Sequence, residues 1–268
     1  MRGIEPGRGK SVVLHRAVTR AVLGFLLALS PASTASSATS ADDTPVGCFI
    51  LHGDAALRAC ADVIGSDQPA EVRAEARYNR GVEFDTLGRH AEALVEFAEA
   101  IRLKPDYAAA YTNMGVAFAE LRRWDEAVGA YRQAIRRRPA YADAYYNLGV
   151  ALTSLQRWKE ALDAFREAAR LNPGDADAHY NMGSVLNTLR RHTDALQAYR
   201  SAVRARPGYA SAWGNLGMTA YLLGRYRDAT EAFEAARKLV PDYFETRPRQ
   251  RDAWEASRLH RPPMPARR

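Results

Sequence analysis

Five prolines recur at a fixed step of 34 residues: Pro105, Pro139, Pro173, Pro207 and Pro241. Gly81, Gly115, Gly149, Gly183 and Gly217 keep the same step, as do Ala93, Ala127, Ala161, Ala195 and Ala229. A constant period with small residues at fixed phases is the mark of a stacked helix–turn–helix array, in which each unit is too small to bury its own apolar face. Taking the units as 74–107, 108–141, 142–175, 176–209 and 210–243, the eighth position is always Gly, the twentieth and twenty-seventh always Ala, and the thirty-second always Pro. The twenty-fourth is always aromatic: Phe97, Tyr131, Phe165, Tyr199 and Phe233. Small residues let two helix backbones approach, a ring fills the space beside them, and proline stops the second helix. In the third unit Tyr145, Leu148, Gly149 and Leu152 share one face of a first helix over about 142–155. Ala161, Leu162, Phe165 and Ala168 share one face of a second over about 159–171.

These columns resemble the tetratricopeptide repeat over 170 of the 268 residues. Arg77 and Arg80, at the fourth and seventh positions of the first unit, and Ala220, at the eleventh of the last, depart from the family's aromatic and apolar preferences. The resemblance implies an all-α, right-handed α-solenoid of five 34-residue repeats, with an N-terminal half-repeat and a C-terminal capping helix. The half-repeat is expected over 42–73, because Ala56–Ile64 matches the second-helix segment Ala93–Ile101. The capping helix is expected over 244–260, ahead of a disordered tail at 261–268.

Residues 1–41 read as a leader and linker. Basic residues precede an apolar run over 21–29, and small residues with alanines at 35, 38 and 41 follow. The run is short of the roughly 20 residues a bilayer crossing needs. A periplasmic or secreted location is therefore expected, with an uncleaved anchor as the alternative. In an exported chain Cys48 and Cys60 are expected to form a disulfide pinning the lead-in onto its helix, the alternative being two free buried thiols.

The formal net charge is +7, but it sits at the ends. Residues 1–35 hold five basic and one acidic residue, and residues 244–268 seven basic and three acidic, which leaves −1 for the remainder. A nucleic-acid partner is not expected from such a body. No phosphate-binding loop, Cys/His metal spacing or nucleophile elbow is present, so neither catalysis, cofactor nor metal is expected.

The sixth position of every repeat is Asn: Asn79, Asn113, Asn147, Asn181 and Asn215. The resemblance places the first helices along a concave groove, where an amide column could donate to and accept from the backbone of an extended peptide. Equally, it could fix the stacking of neighbouring helices. Tyr78, Tyr146 and Tyr180 at the fifth position, with Asp143 and Asp177 at the second, would favour a segment with apolar or basic side chains. Tyr78 and Val82 stand where relatives that grip a C-terminal carboxylate carry Lys and Asn, which argues against that ligand. Three functions follow: a scaffold holding a peptide or protein partner in an envelope or secretory assembly, a self-associating structural subunit, or an accessory protein to an envelope enzyme such as a glycosyltransferase.

Overall fold

The computed structural model describes residues 47–260; the leader expected over 1–41 and the tail over 261–268 lie outside them. Every element within that range is helical. Two compact units divide the chain, one ending at Ala151 and the other starting at Leu152.

The first unit opens with α1 (Gly47–Ile50), α2 (Gly53–Gly65), α3 (Ala70–Thr86) and α4 (His90–Leu103). It continues with α5 (Ala108–Glu120), α6 (Trp124–Arg137) and most of α7 (Ala142–Ser154). A disulfide joins Cys48 to Cys60, so the one-turn α1 is tied to α2. Cys48, Ala59, Cys60, Val63 and Ala76 form a small core where α1, α2 and α3 meet, with Phe49, Leu51, Ile64 and Val72 around it. The helix α3 starts at Ala70, ahead of the repeat register, directly after Pro69. From there α3 pairs with α4 and α5 with α6, and α4 also packs on α5.

The second unit holds α8 (Trp158–Leu171), α9 (Ala176–Thr188), α10 (His192–Ala205), α11 (Ala210–Leu222), α12 (Tyr226–Leu239) and α13 (Pro248–Leu259). Here α9 pairs with α10 and α11 with α12, and α13 packs on both α11 and α12.

Three local devices repeat. Within a pair, the Gly of the first helix receives the ring of the second. A Cβ on Gly81 would stand 2.7 Å from Phe97, one on Gly115 2.5 Å from Tyr131, and one on Gly217 2.8 Å from Phe233. No side chain fits there, which is why the eighth position is invariant.

The turn between paired helices is the second device. Its central residue is left-handed in every repeat: Gly88, Arg122, Gln156, Arg190 and Gly224, with φ from 58° to 75°. The next residue is always Arg, and its backbone N–H reaches five residues back. Arg89 donates to the Phe84 carbonyl at 2.8 Å, Arg191 to Leu186 at 2.9 Å and Arg225 to Ala220 at 2.9 Å. This is a Schellman closure, which satisfies carbonyls the helix end leaves open. The same arginine then clasps an acid three residues on. Arg157 donates to Glu160 at 2.8 and 2.7 Å, and Arg89, Arg123, Arg191 and Arg225 pair with Glu92, Glu126, Asp194 and Asp228. Each acid sits at the positive end of its helix.

Between repeats a proline turn does the work. The Tyr107 N–H donates to the Lys104 carbonyl across Pro105, and Tyr209 to Arg206 across Pro207, both at 3.1 Å. Proline's fixed φ suits the second residue of such a turn.

Candidate functional site

The first helix of each repeat carries the asparagine column. In the first unit, Asn113 on α5 is buried, and its Nδ2 donates to the Tyr78 hydroxyl on α3 at 2.9 Å. Tyr78 is itself buried between Phe97 and Tyr107, with ring centroids 6.0 and 5.0 Å away. Burial pushes the hydroxyl pKa of both Tyr78 and Tyr107 well above its ordinary value. The second unit repeats the motif. Asn215 on α11 donates to the Tyr180 hydroxyl on α9 at 3.1 Å, and Tyr180 lies 5.0 Å from Tyr209. The bond therefore runs from a sixth-position Asn to the fifth-position Tyr one repeat earlier.

Where that tyrosine is missing, the pattern changes. Thr112 stands at the fifth position of the second repeat and turns its hydroxyl onto the Ala108 carbonyl at 3.0 Å. Asn147, which would address a tyrosine there, is 5% exposed, and its Nδ2 has no hydrogen-bond partner among the described residues. Asn79 has no earlier full repeat to address; it is half-buried, as is Asn181. Tyr146 is buried and Asp143 half-buried. Asn113 and Asn215 thus serve helix stacking directly.

The acidic second positions are also engaged. Asp177 takes a bidentate contact from Arg206 at 3.0 and 2.7 Å, and the same guanidinium lies 4.8 Å over the Tyr209 ring. The Asp177 carboxylate in turn pushes the Arg206 pKa up. In the first repeat burial raises the Glu75 carboxyl pKa while Lys104, stacked 4.9 Å over Tyr107, opposes it. A basic residue in the proline turn thus balances the acid on the first helix, and the surplus negative charge expected along this face is reduced.

At the C-terminal end the face is closed. Tyr243 and Gln250 occupy the space beside Gly214, and Gln250 donates to the Asn215 Oδ1 at 3.1 Å. The sequence reading missed the Arg and acid columns at the sixteenth and nineteenth positions, although both recur in all five repeats. It also missed the basic residues of the proline turns.

The histidines have local partners. His90 Nδ1 is 2.7 Å from Asp85, His192 Nδ1 3.0 Å from Asn187, and His179 Nε2 3.0 Å from the Pro173 carbonyl. Among the described residues no group of three or more His, Cys, Asp or Glu could hold a metal ion, and no helix is long and apolar enough to cross a membrane.

The profile described as tetratricopeptide repeat matches residues 112–176, 155–210 and 180–244, and one described as TPR repeat matches 86–122. Among solved structures, MamA is 23% identical over 62% of this chain and 96% of its own, with a TM-score of 0.58. YrrB, a TPR protein with an unusual peptide-binding site, is 25% identical over 69% of this chain and 92% of its own, also at 0.58. A MamA fragment from Desulfovibrio magneticus RS-1 is 24% identical over 65% of this chain and 96% of its own, at 0.56. No curated protein matches the sequence. Repeat columns, helix pairing and matched segments agree: the chain belongs to the tetratricopeptide repeat family.

Proposed function

We propose that this scaffold receives an extended segment of a partner protein along the face of its first helices, in an envelope or secretory assembly. The observation that carries the reading is the mixed, half-buried character of that face. Glu75, Asn79 and Val82 line it on α3, and Asp177, Asn181 and Ser184 on α9, all half-buried. Such a strip offers an extended chain both polar groups and shallow apolar seats. The likeness to YrrB supports a peptide ligand, and the Cys48–Cys60 bond supports an oxidising compartment.

Photo-crosslinking tests it. A benzophenone side chain at Val82 is expected to trap the partner, and at Val95, which is 60% exposed on α4, to trap none. Equal adducts at both sites would sink the groove reading. Self-association is favoured by a different observation: Leu222 and Leu259 are 56% and 85% exposed beside the Tyr221, Tyr226 and His260 rings. In that case Leu259→Arg lowers the sedimentation coefficient of the full chain, and crosslinks from Val82 disappear.

A further inference from the structure

The two residues that break the family pattern in the first repeat meet a third. Arg77 Nη1 lies 3.1 Å from Glu96 Oε2, and Arg80 Nη2 lies 2.5 Å from Glu96 Oε1. In later repeats the same three positions are Tyr111, Met114 and Ala130, or Trp213, Leu216 and Ala232. An apolar layer has thus been exchanged for an ionic one. Glu96 is 5% exposed. Two guanidinium groups on one buried carboxylate leave a positive charge over, and Arg73, four residues before Arg77 on the same face of α3, adds another. The Nε atoms of Arg73 and Arg80 are buried and find no hydrogen-bond acceptor among the described residues. The cluster is still reachable, since the Arg77 and Arg80 side chains keep 24% and 19% of their surface.

We infer that Arg73, Arg77 and Arg80, seated on Glu96, form a binding site for a carboxylate group. Unpaired donors on charged groups removed from water are costly, and an anionic oxygen satisfies several at once. The planar guanidinium fork matches a carboxylate's two oxygens. A phosphate dianion suits the site less, because its second negative charge would lie against the Glu96 carboxylate. Helical spacing places this cluster on the side of α3 opposite Glu75, Asn79 and Val82, so it is separate from the proposed peptide face.

The carboxylate could be supplied by a partner's acidic side chain or by Asp42 and Asp43 of the same chain, which precede α1. One titration separates the sources. The mature chain, isotopically labelled on its arginines, is titrated with a short acetylated peptide of alternating Glu and Ala, and with its Gln counterpart. Saturable shifts of the Arg77 and Arg80 side-chain resonances with the Glu peptide alone are expected, diminishing as salt is raised. Shifts only after Asp42→Asn and Asp43→Asn assign the site to the chain's own carboxylates. The triple change Arg77→Tyr, Arg80→Met, Glu96→Ala installs the apolar layer of the second repeat, so it folds, and it abolishes the response. Absence of shifts in both chains, equal shifts with the Gln peptide, or undiminished peptide binding by the triple variant overturns the site.

Discussion

The hydroxyl of Tyr243 occupies the space a side chain on Gly214 would need: a Cβ there would stand 1.7 Å from it. The fifth position of the last repeat is Gly, and the ring of Tyr243, the final residue of that same repeat, fills the space a fifth-position side chain would take. Gly214→Ala is expected to cost about 1–3 kcal/mol through overpacking. Combined with Tyr243→Ala the loss falls below the sum of the single losses, because the conflict is gone. Urea denaturation of the three variants checks this.

The hairpin turns are separable from the core. Gly88 and Gly224 hold left-handed φ values at no steric cost, while Arg122, Gln156 and Arg190 hold the same conformation with a side chain attached. Gly88→Ala is expected to cost about 1 kcal/mol. Arg190→Gly gains less than that, since glycine also loosens the unfolded chain. Opposite signs of the shift in denaturation midpoint confirm the assignment.

The asparagine column is not uniform. Asn113→Ala leaves the buried Tyr78 hydroxyl without its donor, at about 1–2 kcal/mol. Asn147→Ala removes an amide whose Nδ2 lacks a partner among the described residues, and is expected to cost clearly less. Thr112→Tyr restores the missing phenol and makes Asn147→Ala costly again. Equal losses for Asn113→Ala and Asn147→Ala would contradict this reading.

Alkaline pH should unfold this chain in a defined way. Burial raises the pKa of Tyr78, Tyr131 and Tyr199 and pushes Tyr243 up to about 12. The unfolded chain releases those protons near pH 10 while the folded chain holds them, so the unfolded state binds fewer protons and stability falls as pH rises. The contribution is intact below about pH 10 and is lost through about pH 12 for Tyr243. Denaturation midpoints across this range, read beside tyrosinate absorbance, follow that curve.

Reduction of Cys48–Cys60 acts locally. The bond closes a loop with a sequence separation of 12, for which chain entropy gives about 3 kcal/mol. Since α1 and α2 pack onto α3 at the start of the array, reductant should raise hydrogen exchange over residues 47–65 and leave α9–α12 protected. Uniform loss of protection would contradict a local role.

The period made the paired helices, the Gly-to-ring contacts and the proline stops legible, because each depends on residues inside one 34-residue unit. The asparagine partners depend on a step of 35: Asn113 to Tyr78 and Asn215 to Tyr180 cross from one repeat to the next. Whether such a side chain faces a ligand or a neighbour is set by how adjacent helices stack, and a column of identical letters does not encode that. Arg206 on Asp177 was hidden for a related reason. Its 29-residue separation joins a proline turn to the start of its own repeat, a contact that exists only once the hairpin has closed.

The Schellman turn and its Arg–acid clasp draw every bond from within a few consecutive residues. The joint of each hairpin is thus specified locally, while its apolar face is buried by whichever neighbour stacks on it, so each unit is in effect a cassette. Evolution can lengthen or shorten such a chain by whole 34-residue cassettes, and an engineer can splice at the proline turn, without composing a new joint each time.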